Sequence, residues 1–441
     1  MAKKTTADKS MGAGLRALNR FASSSTIDRL KMRRPAERAV YHASKGGFKA
    51  AGAVGRTFSS SHKRDKPARQ ASAQSYGLFD LTPTDEQEML IEAFGDFAKS
   101  ELLPIAGQAD HDCAAPPEML KQSTELGVTM IGVPEALGGA VDERSAVTST
   151  LISEALANGD LGLAVAVLAP AAVSTAIGLW GDGDQQGTYL PEFVGENVPA
   201  AALAVMEPRP LFDPFKLGTR ATRDPDGGFT LNGVKSLVPR AAEAEVFVVA
   251  ADLDGQSSLF IVESKSNGIG ITPEPAMGIR AAATATVSLT DVMLPAGALL
   301  GDADPRVFSD CVQLGRIAWS ALAAGTGRAV LDYVIPYVND RVAFGEPISH
   351  RQAVAFMISN IAIELEGMRL TTYRAASRAD QGESFAREAA LARQLTATKG
   401  MQIGSDGVQL LGGHGYVKEH PVERWYRDLR AAGLIEGVLL V

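Results

Sequence analysis

Two stretches near the C-terminal end bring reactive residue types close together. In YVNDRVAFGEPISHRQAVAF, Arg341, Phe344 and Gly345 fall where a helix should end. In DGVQLLGGHGYVKEHPVERWYRDLRAAGLIEG, Gln409 stands just before Gly412-Gly413-His414-Gly415. Glycine carries no Cβ, so such a loop lets backbone approach a bulky group. Arg424, Arg427 and Asp428 follow on a charged helix that leads to Glu436. Other chemistries find no support. Gly12-Ala13-Gly14 and Gly325-Thr326-Gly327 look superficially like a dinucleotide loop. Neither follows an expected strand and the second falls inside a helix, so neither can aim amides at a pyrophosphate. There is no phosphate-binding P-loop and no Gly-x-Ser-x-Gly elbow. Cys113 and Cys311 lie far apart and the six histidines are scattered. That pattern gives neither a disulfide framework nor a metal site and suits a reducing compartment.

The elements that must carry these residues change period twice. Hydrophobic content of 46% and charged content of 21% fit a soluble globular chain, and 441 residues suffice for two or three domains. Structure is expected from about Leu81, with Thr82 or Thr84 capping a helix and Pro83 in its first turn. Met89, Leu90, Ala93, Phe94 and Phe97 then recur at helical spacing. Leu161 to Trp180 is uncharged and long enough to cross a membrane. Pro170 and the lack of flanking cations predict instead two buried helices that break near Pro170. From about Ala200 strand patterns take over, with Asp254-Gly255 as a hairpin turn between Val246–Ala251 and Leu259–Val262. Long helical runs return from about Phe308, over Arg316–Val338, Gln352–Asp380 and Ser384–Leu411. The expected class is α+β: an N-terminal helical domain over 79–200, a central β domain over 201–305 and a C-terminal four-helix bundle over 306–441.

Residues 1–78 read as a separate basic extension. Residues 1–71 hold 17 Lys/Arg and 4 Asp/Glu, a net of +13, which leaves −21 for the rest of a chain of net −8. The segment has no core-forming pattern. A solvated arm, a peripheral membrane contact through residues 1–75 and a mitochondrial presequence all fit it, so cytoplasmic and mitochondrial-matrix locations both stay open. Nucleic acid is disfavoured, because the acidic body would repel phosphate.

The C-terminal stretches resemble the acyl-CoA dehydrogenase family. The likeness extends upstream, in the family's order, through LTPTDEQEMLIEAFGDF, LGVTMIGVPEALGG, YLPEFVGENVPAAALAVMEP, LNGVKS, AMGIRAAATATVSLTDVMLP and LLGD. It covers roughly residues 80–437. The resemblance implies the family's fold and non-covalent FAD, whose ADP half a neighbouring subunit holds. It assigns Arg341 to the FAD pyrophosphate, which a planar, permanent cation suits. Phe344 falls near the adenine, Gln409, Gly412 and Gly413 fall around the ADP ribose and phosphates, and Gln352 is a further cofactor contact. Glu436 matches the catalytic base, with Gly437 and Arg316 beside the substrate. Some relatives carry the base just before the arginine equivalent to Arg316, where this chain has Gly315. A dry pocket makes a carboxylate a better base, and hydrogen bonds to the thioester carbonyl stabilise the enolate-like charge. The β-hydrogen leaves as hydride to the flavin.

The implied activity is α,β-dehydrogenation of an acyl-CoA, with electron-transferring flavoprotein as acceptor and a homodimer or homotetramer as the assembly. Three family hydroxyls near the flavin are absent, at Met206, Pro239 and Val438, and Arg209-Pro210-Leu211-Phe212 replaces the family's small residues after Glu-Pro. Five residues follow Glu436, where the family usually adds a closing helix. These departures leave two other readings open. One is a non-catalytic, FAD-holding subunit of a hetero-oligomer. The other is a flavoenzyme that acts on another carbon acid or uses oxygen.

Overall fold

Residues 82–139, 144–195 and 197–441 are described by a computed structural model. The basic extension, with any membrane contact through it, lies outside the described residues. Helices come first: α1 Asp85–Phe97, α2 Leu103–Asp112, α3 Pro117–Glu125, α4 Ala146–Gly159, α5 Leu161–Trp180 and α6 Gly183–Tyr189. Thr84 caps α1 through a reciprocal box with Gln87, so Pro83 precedes the cap instead of entering the first turn. The apolar turn ending in Gly138-Gly139 forms short 3-10 turns at Val128–Gly132 and Glu135–Leu137.

The expected break at Pro170 does not occur. Helix α5 runs unbroken through Pro170. Proline has no N–H, so it orphans the carbonyl four residues back. That carbonyl, Ala166 O, instead accepts a hydrogen bond from Arg240 Nη1 at 3.4 Å. Helix α5 is long and apolar enough to cross a membrane, yet 83% of its apolar window is buried inside the fold. It is a core helix.

The sheet contains β1 Ala201–Ala204, β2 Arg220–Arg223, β3 Phe229–Val238, β4 Val246–Leu253, β5 Gln256–Glu263, β6 Ile269–Pro273, β7 Ala285–Leu294 and β8 Leu299–Leu300. Its order is β6-β7-β3-β2-β4-β5-β8, with β1 also parallel to β4. Asp254 and Gly255 form the expected two-residue turn, both with positive φ, and Leu253 pairs with Gln256. Strand side chains alternate between faces. Val246, Val248 and Ala250 therefore join the helical core, while Phe247, Val249 and Ala251 build a second core with Phe229 and Phe260.

Helices α7 Pro305–Asp340, α8 Gln352–Asp380, α9 Ala386–Leu411 and α10 Val422–Ala431 complete the described fold. Helix α10 is locked to the rest by buried charge. Arg427, steadied within the helix by Glu423 at 2.8 Å, meets Asp110 at 2.8 Å, and Arg424 meets Asp160 at 2.9 Å. Asp428 accepts from the Ile279 amide at 2.6 Å. Three parts of the chain thus meet at α10: the first helices, a loop of the sheet domain and the C-terminal bundle.

Burial, then neighbouring Asp160, push the Asp428 carboxyl up to about 8, against the pull of the Ile279 amide, Arg427 and Arg424. Burial likewise raises Asp160, against Arg424. A carboxyl raised on folding stabilises the fold below the ordinary carboxylate range, and that contribution is lost as pH climbs through about 8. Asp428→Asn keeps an acceptor for Ile279 without the charge. The variant should already exceed the parent in melting temperature at pH 6, and by more at pH 9. An equal loss at both values would mean that Asp428 acts as a fixed charge.

Candidate active site

Glu436 follows α10 on a short loop, and only 9% of the residue is exposed. Arg316, on α7, grips its carboxylate in a fork: Nε lies 3.1 Å from Oε2 and Nη2 lies 3.1 Å from Oε1. Arg393, on α9, reaches within 3.7 Å of Oε1. It also donates to the carbonyls of Ala432 and, at 2.7 Å, Ile435. Trp319 Nε1 donates to the Gly437 carbonyl at 2.9 Å. The glutamate and its flanking backbone are therefore held from two helices.

Glycine is required at two places here. Gly437 has φ 69°, and a Cβ on it would lie 2.5 Å from the Val205 side chain. A Cβ at Gly315 would meet Leu439 O at 3.1 Å. Gly437 and Leu439 thus occupy the space beside position 315, so a glutamate there would need that segment to move.

The opposite wall comes from the end of β1. Lys235, 0% exposed, places Nζ 3.0 Å from Glu207 Oε1 and 3.2 Å from Val205 O. Glu207 also accepts from the amides of Gly218 at 2.7 Å and Thr219 at 2.8 Å. Burial alone would raise Glu207, but Lys235 and the two amides outweigh it and hold the carboxyl below its usual range. Burial pushes Lys235 down to about 8 against the opposing pull of Glu207. This pair fixes the backbone on both sides of Met206. Between the walls lies a cavity of about 670 Å³, lined by Met206, Arg209, Phe212, Arg316, Arg393 and Glu436 among others.

The remaining sequence candidates gather elsewhere. Arg341 caps the C-terminal end of α7 and is exposed. Phe344 is 97% exposed. Gln352 opens α8, and Gln409 lies near the end of α9. Gly412 has φ 58° and ψ −130°, a conformation open essentially to glycine. A Cβ on Gly412 or Gly413 would meet nothing within 4 Å. Their lack of side chains therefore relieves no crowding within this chain, and it leaves room for an approaching group. The Tyr337 hydroxyl, one turn before Arg341, pairs with His414 Nδ1 at 2.8 Å, which ties the glycine loop to the same end of α7. Among the described residues Arg341 forms no ion pair, which leaves its charge available to a phosphate. Residues 316 and 341 are separated by roughly 37 Å along one helix.

Three family models match in sequence order: the N-terminal domain of acyl-CoA dehydrogenases over 84–197, the middle domain over 202–292 and the C-terminal domain over 306–439. The chain belongs to the acyl-CoA dehydrogenase family. It is 32% identical to the mitochondrial short-chain specific acyl-CoA dehydrogenase of Bos taurus, over 80% of this chain and 87% of that protein. Butyryl-CoA dehydrogenase from Megasphaera elsdenii shares the fold at a TM-score of 0.76 and 29% identity, over 82% of this chain and 96% of that one. The FAD complex of PigA matches at a TM-score of 0.75 and 25% identity, over 82% and 96%.

The residues that the resemblance gives to the ADP half of FAD suit that group: an arginine unpaired among the described residues, an exposed aromatic and an open glycine loop. At the ring half the family hydroxyls are missing. Met206 lines the cavity, Pro239 is buried, and Val438 is buried with φ 78°. Positive φ is rare for a β-branched residue, so Val438 is a strained point beside Glu436. Sequence reasoning missed Arg393, Trp319 and the Glu207–Lys235 pair. Each acts through a partner distant in sequence; YLPEFVGENVPAAALAVMEP and LNGVKS, which contain Glu207 and Lys235, hinted at that pair alone.

Proposed function

We propose that this chain is an FAD-dependent acyl-CoA dehydrogenase that converts a saturated acyl-CoA into a trans-2-enoyl-CoA, with Glu436 as the base. The observation that carries this reading is a buried glutamate on a cavity wall, oriented by Arg316 and Arg393 and followed by a glycine packed on the end of β1. Ionised, a carboxylate offers about four lone-pair positions. The Arg316 fork takes one on each oxygen and leaves others for the substrate's α-proton. The Glu436 amide donates to no acceptor among the described residues, which suits it to the thioester carbonyl as negative charge develops there. The bound flavin supplies the acceptor for the β-hydrogen, which leaves as hydride.

Arg341, Phe344, Gln352, Gln409, Gly412 and Gly413 would hold the ADP half of FAD. Their distance from Glu436 along α7 supports an assembly of at least two subunits, in which one chain's ADP cradle serves its neighbour's base. Arg341→Ala should weaken flavin retention about tenfold or more, because the pyrophosphate loses a charge-assisted partner. Equal flavin content after gel filtration at equal dilution would remove Arg341 from this role. Electron-transferring flavoprotein is the proposed acceptor. The spans of the three family models support domain boundaries near residues 200 and 305.

The decisive experiment is the visible spectrum of the purified protein, followed by anaerobic bleaching with a panel of acyl-CoAs. Bleaching by a saturated acyl-CoA supports the dehydrogenase. The missing hydroxyls at Met206, Pro239 and Val438 favour one second reading, a subunit that holds FAD for a partner. Bound flavin that bleaches only after a partner chain is added would select it.

A further inference from the structure

The walls of the Glu436 cavity carry an imbalance of charge. Arg209, Arg316 and Arg393 line it, against the single carboxylate of Glu436. Arg316 and Glu436 neutralise each other through their fork. Arg393 remains as a buried cation 3.7 Å from the same carboxylate. Burial holds it below the usual arginine range even with Glu436 beside it.

Arg209 is the second excess charge. Its nearest carboxylate oxygen, Glu207 Oε2, is 3.9 Å away. Glu207 already satisfies Lys235 and two backbone amides. The Arg209 guanidinium is steered by Lys216 O and lies 5.5 Å from the centroid of the Phe212 ring. It stands where the family pattern has a small residue. A cleft lined by one sign of charge with apolar walls concentrates the opposite sign, and here the rest of the lining is largely apolar, including Met206, Leu211, Phe212 and Leu434.

We infer that the cavity beside Glu436 accepts an acyl group that itself carries an anion, a carboxylate at the far end of the acyl chain, with Arg209 as its partner. Coenzyme A also brings negative charge, on its phosphates, but the whole pantetheine arm separates those from the thioester. A cavity whose wall holds the base must lie close to the α-carbon, within reach of an acyl chain. The inference rests on the dehydrogenase reading and names its substrate class.

The test compares glutaryl and adipyl thioesters with valeryl and hexanoyl thioesters of equal carbon number, each as the coenzyme A ester and as the phosphate-free pantetheine ester. Anaerobic flavin reduction is followed with the esters. Calorimetry measures binding of their unreactive thioether analogues to the same flavin-loaded protein. One charge-assisted hydrogen bond corresponds to about tenfold or more in binding. The carboxylate-bearing ligands should lead by that factor in both carriers, Arg209→Gln should erase the lead, and Arg209→Lys should keep part of it. Equal or reversed preference in the parent protein would overturn the inference. So would a lead that survives Arg209→Gln, or an Arg209→Gln effect confined to the advantage of coenzyme A over pantetheine. Bleaching by valeryl-CoA without any carboxylate preference defeats this inference alone. Failure of every thioester to bleach defeats the dehydrogenase reading, while calorimetry still decides the anion.

Discussion

Glu436→Gln should slow anaerobic flavin reduction by an acyl-CoA by about 10²–10⁴-fold, the usual worth of a general base. The amide keeps the size of the side chain and can still accept a hydrogen bond from Arg316, but it cannot take the α-proton. Flavin content should hold, because the cofactor contacts assigned above lie at the other end of α7. Stability should move in one direction only. The fork between Arg316 and Glu436 is charge-assisted on both sides, so the variant leaves two guanidiniums facing a neutral group and should melt below the parent. Stopped-flow reduction at matched flavin occupancy, with a melting curve on the same sample, separates the two effects. A variant that reduces its flavin at the parental rate would remove Glu436 from the chemistry.

Lys235→Met should destabilise the fold by about 3–5 kcal/mol, the usual cost of removing one partner from a buried ion pair. Glu207 would keep its two amide donors but face the interior without its cation, and Val205 O would lose a hydrogen bond. The double variant Lys235→Met, Glu207→Gln should recover part of the loss, since no unpaired charge remains. Chemical denaturation gives both figures. A single variant as stable as the parent would mean that Glu207 is satisfied by backbone alone. Turnover should fall with stability here, because the pair holds the backbone on either side of Met206.

Local pattern made the architecture legible. The change from helical to strand spacing near Ala200, the Asp254-Gly255 turn and the long C-terminal helices depend on neighbours a few residues apart, and each appears in the structure. The Pro170 break failed for the opposite reason. Its local rule is sound, but the donor that satisfies Ala166 O is Arg240, 74 positions away. The site divides the same way. Arg341, Gly412, Gly413 and Glu436 stand in compact motifs, so their types and spacing drew notice. The partner that grips Glu436 lies 120 positions upstream on another helix. Arg393 is one of several basic residues in a helical run, and nothing nearby distinguishes a cation turned inward from one in solvent. Lys235 and Glu207, likewise, sit 28 positions apart and meet only when β3 lies beside β1.

Helix α7 behaves as a ruler. Arg316 lies about a third of the way along its 36 residues, and Arg341 caps its end. In an α-helix, spacing and bearing are coupled: each added residue lengthens the rod by about 1.5 Å and turns everything beyond it by about 100°. A single insertion between positions 320 and 340 would therefore leave Glu436 clamped and the core intact at the near end, yet swing Arg341 and the glycine loop tied to Tyr337 out of line with whatever they meet. Insertions of about seven or eleven residues would restore the bearing but not the distance. Across homologous chains, this stretch should accept substitutions freely at its exposed positions and resist any change in length.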